Sequence, residues 1–144
     1  MKNILFICCF LGCIVAGFDL RAQAPYDDME TASLRKFLIQ ESAEPGIKNY
    51  EQLGKEDVND INWGKVDGLS WNSLTFLLER VAWANKKLAG DLDLSDFGSL
   101  KYLYLSFNEI NSVNVTNAVS LLRFDLYENN LSYLDVTTNI SFEY

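Results

Sequence analysis

At 144 residues, 49% hydrophobic and 13% aromatic, the chain has the length of one domain and enough apolar side chains for a packed core, which excludes a disordered polymer. Twelve basic against twenty acidic residues give a net charge of −8 with no basic run, and that balance argues against a nucleic-acid-binding protein. Histidine is absent, and Cys8, Cys9 and Cys13 all lie near the start, so histidine- or thiol-based catalysis and zinc sites are excluded for the remainder. Only carboxylate chemistry or oxygen-ligated metals stay open there.

Residues 1–24 read as a secretory signal peptide. Lys2 supplies the positive start, Ile4 to Phe18 the apolar run, and Ala22-Gln23-Ala24 a small-residue cleavage site. Cleavage would leave Pro25 first, remove all three cysteines with any disulfide, and give ten basic and nineteen acidic residues, a net charge of −9. Two alternatives compete: an uncleaved anchor, for which the run is marginal in length, and a lipoprotein at Cys13 in Leu11-Gly12-Cys13. The apolar run continues past Cys13 through Ile14 and Val15, so ordinary cleavage is the expectation. The mature chain is then secreted or held at the cell surface, without membrane insertion.

Residues 25–76 read as a small N-terminal cap. A helix is expected from Asp27 to Glu41, with Asp27 as N-cap and Glu30 as reciprocal partner in a capping box. Leu34, Phe37 and Leu38 form its apolar stripe, and Pro45-Gly46 is expected to stop it. A polar stretch reaching about Asn62 offers Tyr50 and Leu53 as anchors. Trp63, Val66, Leu69 and Trp71 follow, with Gly64 and Gly68 placed for turns.

Residues 77–144 hold one pattern written more than once. Leu100, Leu103, Leu105, Asn108, Ile110, Val113, Val115 and Ser120 recur 21 residues later as Leu121, Phe124, Leu126, Asn129, Leu131, Leu134, Val136 and Ser141. Both copies fit L-x-x-L-x-L-x-x-N-x-L, the leucine-rich repeat. Its alternating apolar pair points into a core from a short strand, and its asparagine satisfies backbone groups where the chain leaves that strand. A degenerate copy lies 22 residues earlier at Leu78, Val81, Trp83, Lys86 and Leu88, where Lys86 replaces the asparagine and Asn85 could serve with a small shift. Leu92 and Leu94 precede Val113 and Val115 by 21, so one residue is inserted at Ala89-Gly90-Asp91, with Gly90 expected to absorb it in a turn. The fold class expected is α/β: parallel short strands near Val81 to Trp83, Leu103 to Leu105 and Phe124 to Leu126, in a right-handed leucine-rich-repeat solenoid behind a helical cap. The pattern begins again at Phe142, so the chain is expected to be C-terminally incomplete and to self-associate through an uncapped end.

Gly68-Leu69-Ser70-Trp71-Asn72, Leu88-Ala89-Gly90-Asp91-Leu92-Asp93-Leu94-Ser95 and Leu134-Asp135-Val136-Thr137 resemble secreted leucine-rich-repeat proteins of Bacteroides-like bacteria. The resemblance covers nearly the whole mature chain. It implies a surface interaction module, and its motifs are specific for fold and weak for function. Asn114-Val115-Thr116 departs from the aspartate-containing ending usual in that family.

On such a repeat the residues flanking the strand leucines project from the concave sheet. Here they are Arg80, Ala82 and Ala84, then Tyr102, Tyr104 and Ser106, then Arg123, Asp125 and Tyr127. Tyrosine and arginine dominate interface energetics, so Arg80, Tyr102, Tyr104, Ser106, Arg123, Asp125 and Tyr127 are the ligand-binding candidates, for a protein partner or a glycan. The plainer alternative is cross-strand aromatic pairing with no ligand. No cofactor is expected. Asp91, Asp93 and Asp96 read as a solvated acidic edge rather than a calcium site, and the sequons at Asn114, Asn130 and Asn139 read as turn residues. Asp125 and Glu128 lack the cleft a two-carboxylate mechanism requires, so catalysis is not expected. The second functional expectation is a capping or stalk segment of a larger surface protein whose activity lies elsewhere.

Overall fold

The computed structural model describes residues 26–139. The proposed signal peptide with Cys13, and the restart of the pattern at Phe142, lie outside them. The described chain is mixed α/β, with few helices and two open, largely parallel sheets. Helix α1 (Asp28–Leu38) and the single turn α2 (Asn49–Gln52) come first, then 3-10 turns at Val58–Asp60 and Trp63–Lys65. Strands β1 (Leu69–Trp71), β2 (Leu78–Ala82), β4 (Tyr102–Tyr104) and β6 (Arg123–Asp125) form one sheet in that order. Strands β3 (Ala89–Asp93) and β5 (Glu109–Asn114) form the other.

The repeat arithmetic reappears as strand register. β2 and β4 run parallel with Val81 opposite Leu103, an offset of 22, and β4 and β6 run parallel with Leu103 opposite Phe124, an offset of 21. Val81, Trp83, Leu103 and Leu105 point inward and are fully buried. Leu88, Leu92, Leu94, Ile110, Val113 and Val115 close the same core from the second sheet. Phe124 is 37% exposed where its counterpart Leu103 is fully buried. Leu131, Leu134 and Val136 are only half-buried and outside any strand, because no described residue packs on their far side.

Asn108 holds consecutive turns of chain together. Its Oδ1 accepts the backbone N–H of Lys86 and of Leu88, each at 3.0 Å, and its Nδ2 donates to the carbonyls of Trp83 at 2.8 Å and Leu105 at 2.7 Å. Asn129 repeats the arrangement, accepting from Ile110 N–H and donating to the Leu105 and Leu126 carbonyls. Asn85 does not substitute at the degenerate copy. It takes a left-handed φ of 54° and is exposed, and the Lys86 backbone is instead held by Asn108 of the following turn.

Gly90 lies within β3 and not in a turn, and the bulge beside it belongs to the partner strand β5. Pairing of β3 with β5 shifts between Gly90 and Asp91, leaving Asn111 unopposed in a β-bulge. Gly90 has φ +95°, and a β-carbon there would strike the Gln40 amide. That amide is in place for a reason: Gln40 donates to the Asp91 carbonyl and accepts the Asp91 N–H, both at 2.8 Å. Asn49, fully buried, does the same for Ala89 at 2.8 and 3.1 Å, and also donates to the Phe37 carbonyl. Two side-chain amides thus seal the outer edge of β3. The first sheet is sealed on the same side by β1, which pairs antiparallel to β2.

The N-terminal segment differs from expectation in two places. Helix α1 ends at Leu38, well before Pro45-Gly46, because Gln40 is committed to β3; Pro45-Gly46 instead turns a short loop closed by Ser42 N–H to the Ile47 carbonyl. Asp27 caps the helix by accepting from Met29 and Glu30, but Glu30 does not reach back to complete a capping box. Its Oε2 accepts the Leu78 N–H at 2.8 Å where β2 begins, while its Oε1 is buried without a partner. Leu34, Phe37 and Leu38 are fully buried as the stripe requires, and the Phe37 ring lies parallel to Trp83 at 6.4 Å.

Replacing Asn108 by Ala removes the partner of the Lys86 and Leu88 N–H groups and of the Trp83 carbonyl, while the Leu105 carbonyl keeps Asn129, and is expected to cost on the order of 3 kcal/mol in urea unfolding. Asn129→Ala, at a more exposed rung, should cost less. Equal losses would show that burial does not grade the two rungs.

Burial pushes the Glu30 carboxyl up from 4.5 to about 7, the Leu78 N–H only partly opposing it and the Asp27 charge adding to it. The folded chain therefore binds this proton more tightly than the unfolded chain. Glu30's contribution to stability is greatest below about pH 4.5, falls as pH rises towards 7, and is level above. Glu30→Gln keeps an acceptor for Leu78 N–H and should flatten that segment of the urea-midpoint profile, with a gain on the order of 1 kcal/mol at pH 8. A variant whose profile runs parallel to the parent would remove Glu30 as the cause.

Candidate functional site

The outward face of the four-stranded sheet is laid out by register. Ser70, Arg80, Tyr102 and Arg123 form one cross-strand row, and Ala82, Tyr104 and Asp125 the next. Their neighbours Val81 and Leu103 point into the core, so period-2 alternation turns these rows away from it. A third row, Ala84, Ser106 and Tyr127, follows where the ladder continues past the strands through Asn85 N–H to the Ser106 carbonyl and Phe107 N–H to the Tyr127 carbonyl.

Tyr102 and Tyr104 set their rings nearly parallel, 6.5 Å apart at 9°, and the Arg80 guanidinium lies 5.2 Å from the Tyr104 ring centre. This is a cation–π arrangement. Arg80, Arg123, Asp125 and Tyr127 are exposed, and Tyr102 and Tyr104 are half-buried along their neighbours. Ser106 is the correction among the candidates. At 6% exposure it is buried beneath the face and not available to a ligand.

The carboxylates on this side are occupied structurally. Asp125 accepts the Tyr127 N–H at 3.1 Å. The Tyr127 phenol is held above its ordinary range by its hydrogen bond to the Glu128 carboxylate and by that group's charge. The two acids therefore act through Tyr127 and its backbone rather than facing one another across a cleft.

Phe107 is the residue the sequence pattern passes over. It stands just before the ladder asparagine at φ 58°, and the equivalent Asn85 and Glu128 take φ 54° and 51°. The turn thus dictates a left-handed residue there, which suits asparagine and strains an aromatic. Phe107 is nonetheless 56% exposed, its ring edge-to-face with Tyr127 at 5.6 Å. A large aromatic with neither a backbone preference for its position nor a core to fill was the available signal.

On the other sheet the acidic residues have local duties. Asp91 accepts the Ser112 hydroxyl at 2.6 Å, and Asp93 accepts the Asn114 amide and the Ser95 N–H, both at 3.0 Å. Among the described residues, no group of three or more acidic side chains could hold a metal ion.

Comparison of the chain with family models, with curated proteins and with solved structures finds no match.

The contrast between rows is testable by stability. Leu105→Ala, fully buried, should cost roughly 3 kcal/mol. Phe107→Asn should leave the urea midpoint unchanged or raise it by up to about 1 kcal/mol, since asparagine tolerates the left-handed conformation. A large loss from Phe107→Asn would mean that its ring supports the fold.

Proposed function

We propose that this chain is an exported leucine-rich-repeat module that binds a protein partner through the outward face of its four-stranded sheet, acting as a binding protein rather than an enzyme. The observation that carries the binding role is the aromatic and arginine set on that face, where Arg80, Arg123, Tyr127 and Phe107 are exposed and Tyr102 and Tyr104 are half-buried beside them. The solenoid reading is supported by strand offsets of 22 and 21 that match the sequence copies, and by asparagines bridging successive turns. Exposed aromatic clusters of this kind are the usual anchors of interfaces.

Export rests on the first 24 residues, and among the described residues no helix is long and apolar enough to cross a membrane. Mass spectrometry of the exported chain is expected to find Pro25 at its terminus; a lipid-modified Cys13 would replace the soluble reading with an anchored one. For binding, the immobilised chain and a Tyr102→Ala/Tyr104→Ala variant are exposed to the surface and secreted proteins of the source cell. The parent should retain a partner that the variant loses. Equal retention by both would move the binding site off this face.

A further inference from the structure

The described chain is tied down from its first residue. The Tyr26 ring lies 4.6 Å from the Trp71 ring and meets Phe76 edge to face at 6.2 Å. Its hydroxyl occupies room that only a glycine leaves, since a β-carbon on Gly64 would strike that oxygen. Trp71 is itself held, its Nε1 donating to the Trp63 carbonyl at 3.1 Å. Asp27 follows at once and starts α1 by accepting the Met29 and Glu30 N–H groups. Backbone joined to such contacts is released only when they break.

On the export reading, the bond to be cleaved joins Ala24 to Pro25, with Pro25 alone between it and Tyr26. Covalent geometry keeps that bond within about 6 Å of the Tyr26 Cα, whatever path the chain takes. A peptidase takes its substrate as an extended segment, with backbone accessible on both sides of the bond. On the C-terminal side those residues are Pro25, Tyr26 and Asp27, and the last two are committed to Trp71 and to the cap of α1. The same backbone cannot serve both.

Resting on that reading of export, we propose that docking of Tyr26 against Trp71, Phe76 and Gly64 closes the leader cleavage site, so that the leader is removed before the N-terminal cap folds and a chain that folds first keeps it.

The order of the chain provides the window. Trp71 and Phe76 stand at the far end of the cap, so a chain exported from its N-terminus presents the cleavage site well before Tyr26 has anything to pack on. In that interval hydrolysis consumes one water, breaks the Ala24–Pro25 amide, and leaves a carboxylate on Ala24 and a secondary amine on Pro25. Once Tyr26 has docked, the apolar run Ile4 to Phe18 stays attached to the folded chain. Competition between cleavage and docking thereby divides the product between a released form and one that carries its leader.

The full precursor is unfolded in urea and given to purified signal peptidase in detergent, either at once on dilution or after refolding, and the products are read by mass spectrometry. Cleavage between Ala24 and Pro25 is expected to be slower by about tenfold or more in the refolded chain. A Gly-Ser spacer of about six residues between Pro25 and Tyr26 adds roughly 13 Å of reach and leaves the contacts of Tyr26 in place, and it should restore the fast rate after refolding. Tyr26→Ser frees the chain up to Asp27 and should raise the refolded rate severalfold, with circular dichroism checking that the fold is kept.

Refolded and freshly diluted precursor cut at one rate would overturn the closure and leave export standing. A refolded spacer variant as resistant as the parent, or a folded Tyr26→Ser variant that is no faster, would overturn Tyr26 docking as its cause. Freshly diluted precursor and spacer variant both uncut between Ala24 and Pro25 would overturn the cleavage reading itself, and the closure with it.

Discussion

The carboxamide of Asn108 is the contact on which the rest of the structure depends. One planar group accepts from two N–H groups and donates to two carbonyls, and those four backbone groups belong to two successive turns of the chain. Without it the Leu88 N–H and the Trp83 carbonyl would be left buried without this partner where the chain leaves the sheet, and each unpaired group would cost on the order of 1–3 kcal/mol. The Leu105 carbonyl accepts from both Asn108 and Asn129, so the two rungs join into one line. Because this line fixes the spacing between turns, a residue gained between rungs must be accommodated away from it. The irregularity accordingly falls in the other sheet, as the bulge at Asn111 of β5, while the strands of the first sheet that carry the repeat stay in step.

Edges are the second constraint. A parallel sheet built from successive turns leaves its first strand with a row of unpaired backbone groups. The two sheets meet this differently. β1 completes the first with backbone, its close approach demanding a glycine at Gly68, where φ is +83° and an added β-carbon would strike the Ala82 carbonyl. The second is completed by side chains alone, Gln40 and Asn49 each presenting an amide to one residue of β3. The polar segment after α1 is therefore organised by where β3 needs donors and acceptors, and its helices are short because those two amides must be in position.

Strands, register and the inward set were legible because they rest on local periodicity: alternation gives the strand and the 21- or 22-residue offset gives the partner. Leu103 opposite Val81 and Phe124 follows from counting alone. What escaped the sequence is non-local. The destination of Glu30, 48 residues away at Leu78 N–H, has no signature in the helix that carries it, and a capping box was the better local solution. Gln40 and Asn49 are ordinary surface types until β3 is beside them. The burial of Ser106 reflects the ladder running on past the strand that the pattern defines. One irregularity between the copies is explained by chemistry: Asn114 stands where Asp93 and Asp135 stand in the neighbouring copies, and all three accept the N–H of the residue two further on. The turn needs only a short side-chain oxygen, which asparagine and aspartate both supply.

That division of labour bears on the outward face. The turns are built mainly by inward leucines, ladder asparagines and acceptors at strand ends such as Asp125, which leaves the exposed outward positions less constrained by the core. Two arginines and the aromatic rings occupy them. Phe107 states the case most sharply, since the turn requires a left-handed residue, asparagine serves at the equivalent Asn85, and a phenylalanine there adds strain and exposed apolar area together. The edge-to-face contact with Tyr127 offsets part of that strain, and on the proposed reading a partner covering the ring would offset more, because a ring held by its backbone and by Tyr127 gives up little freedom on binding.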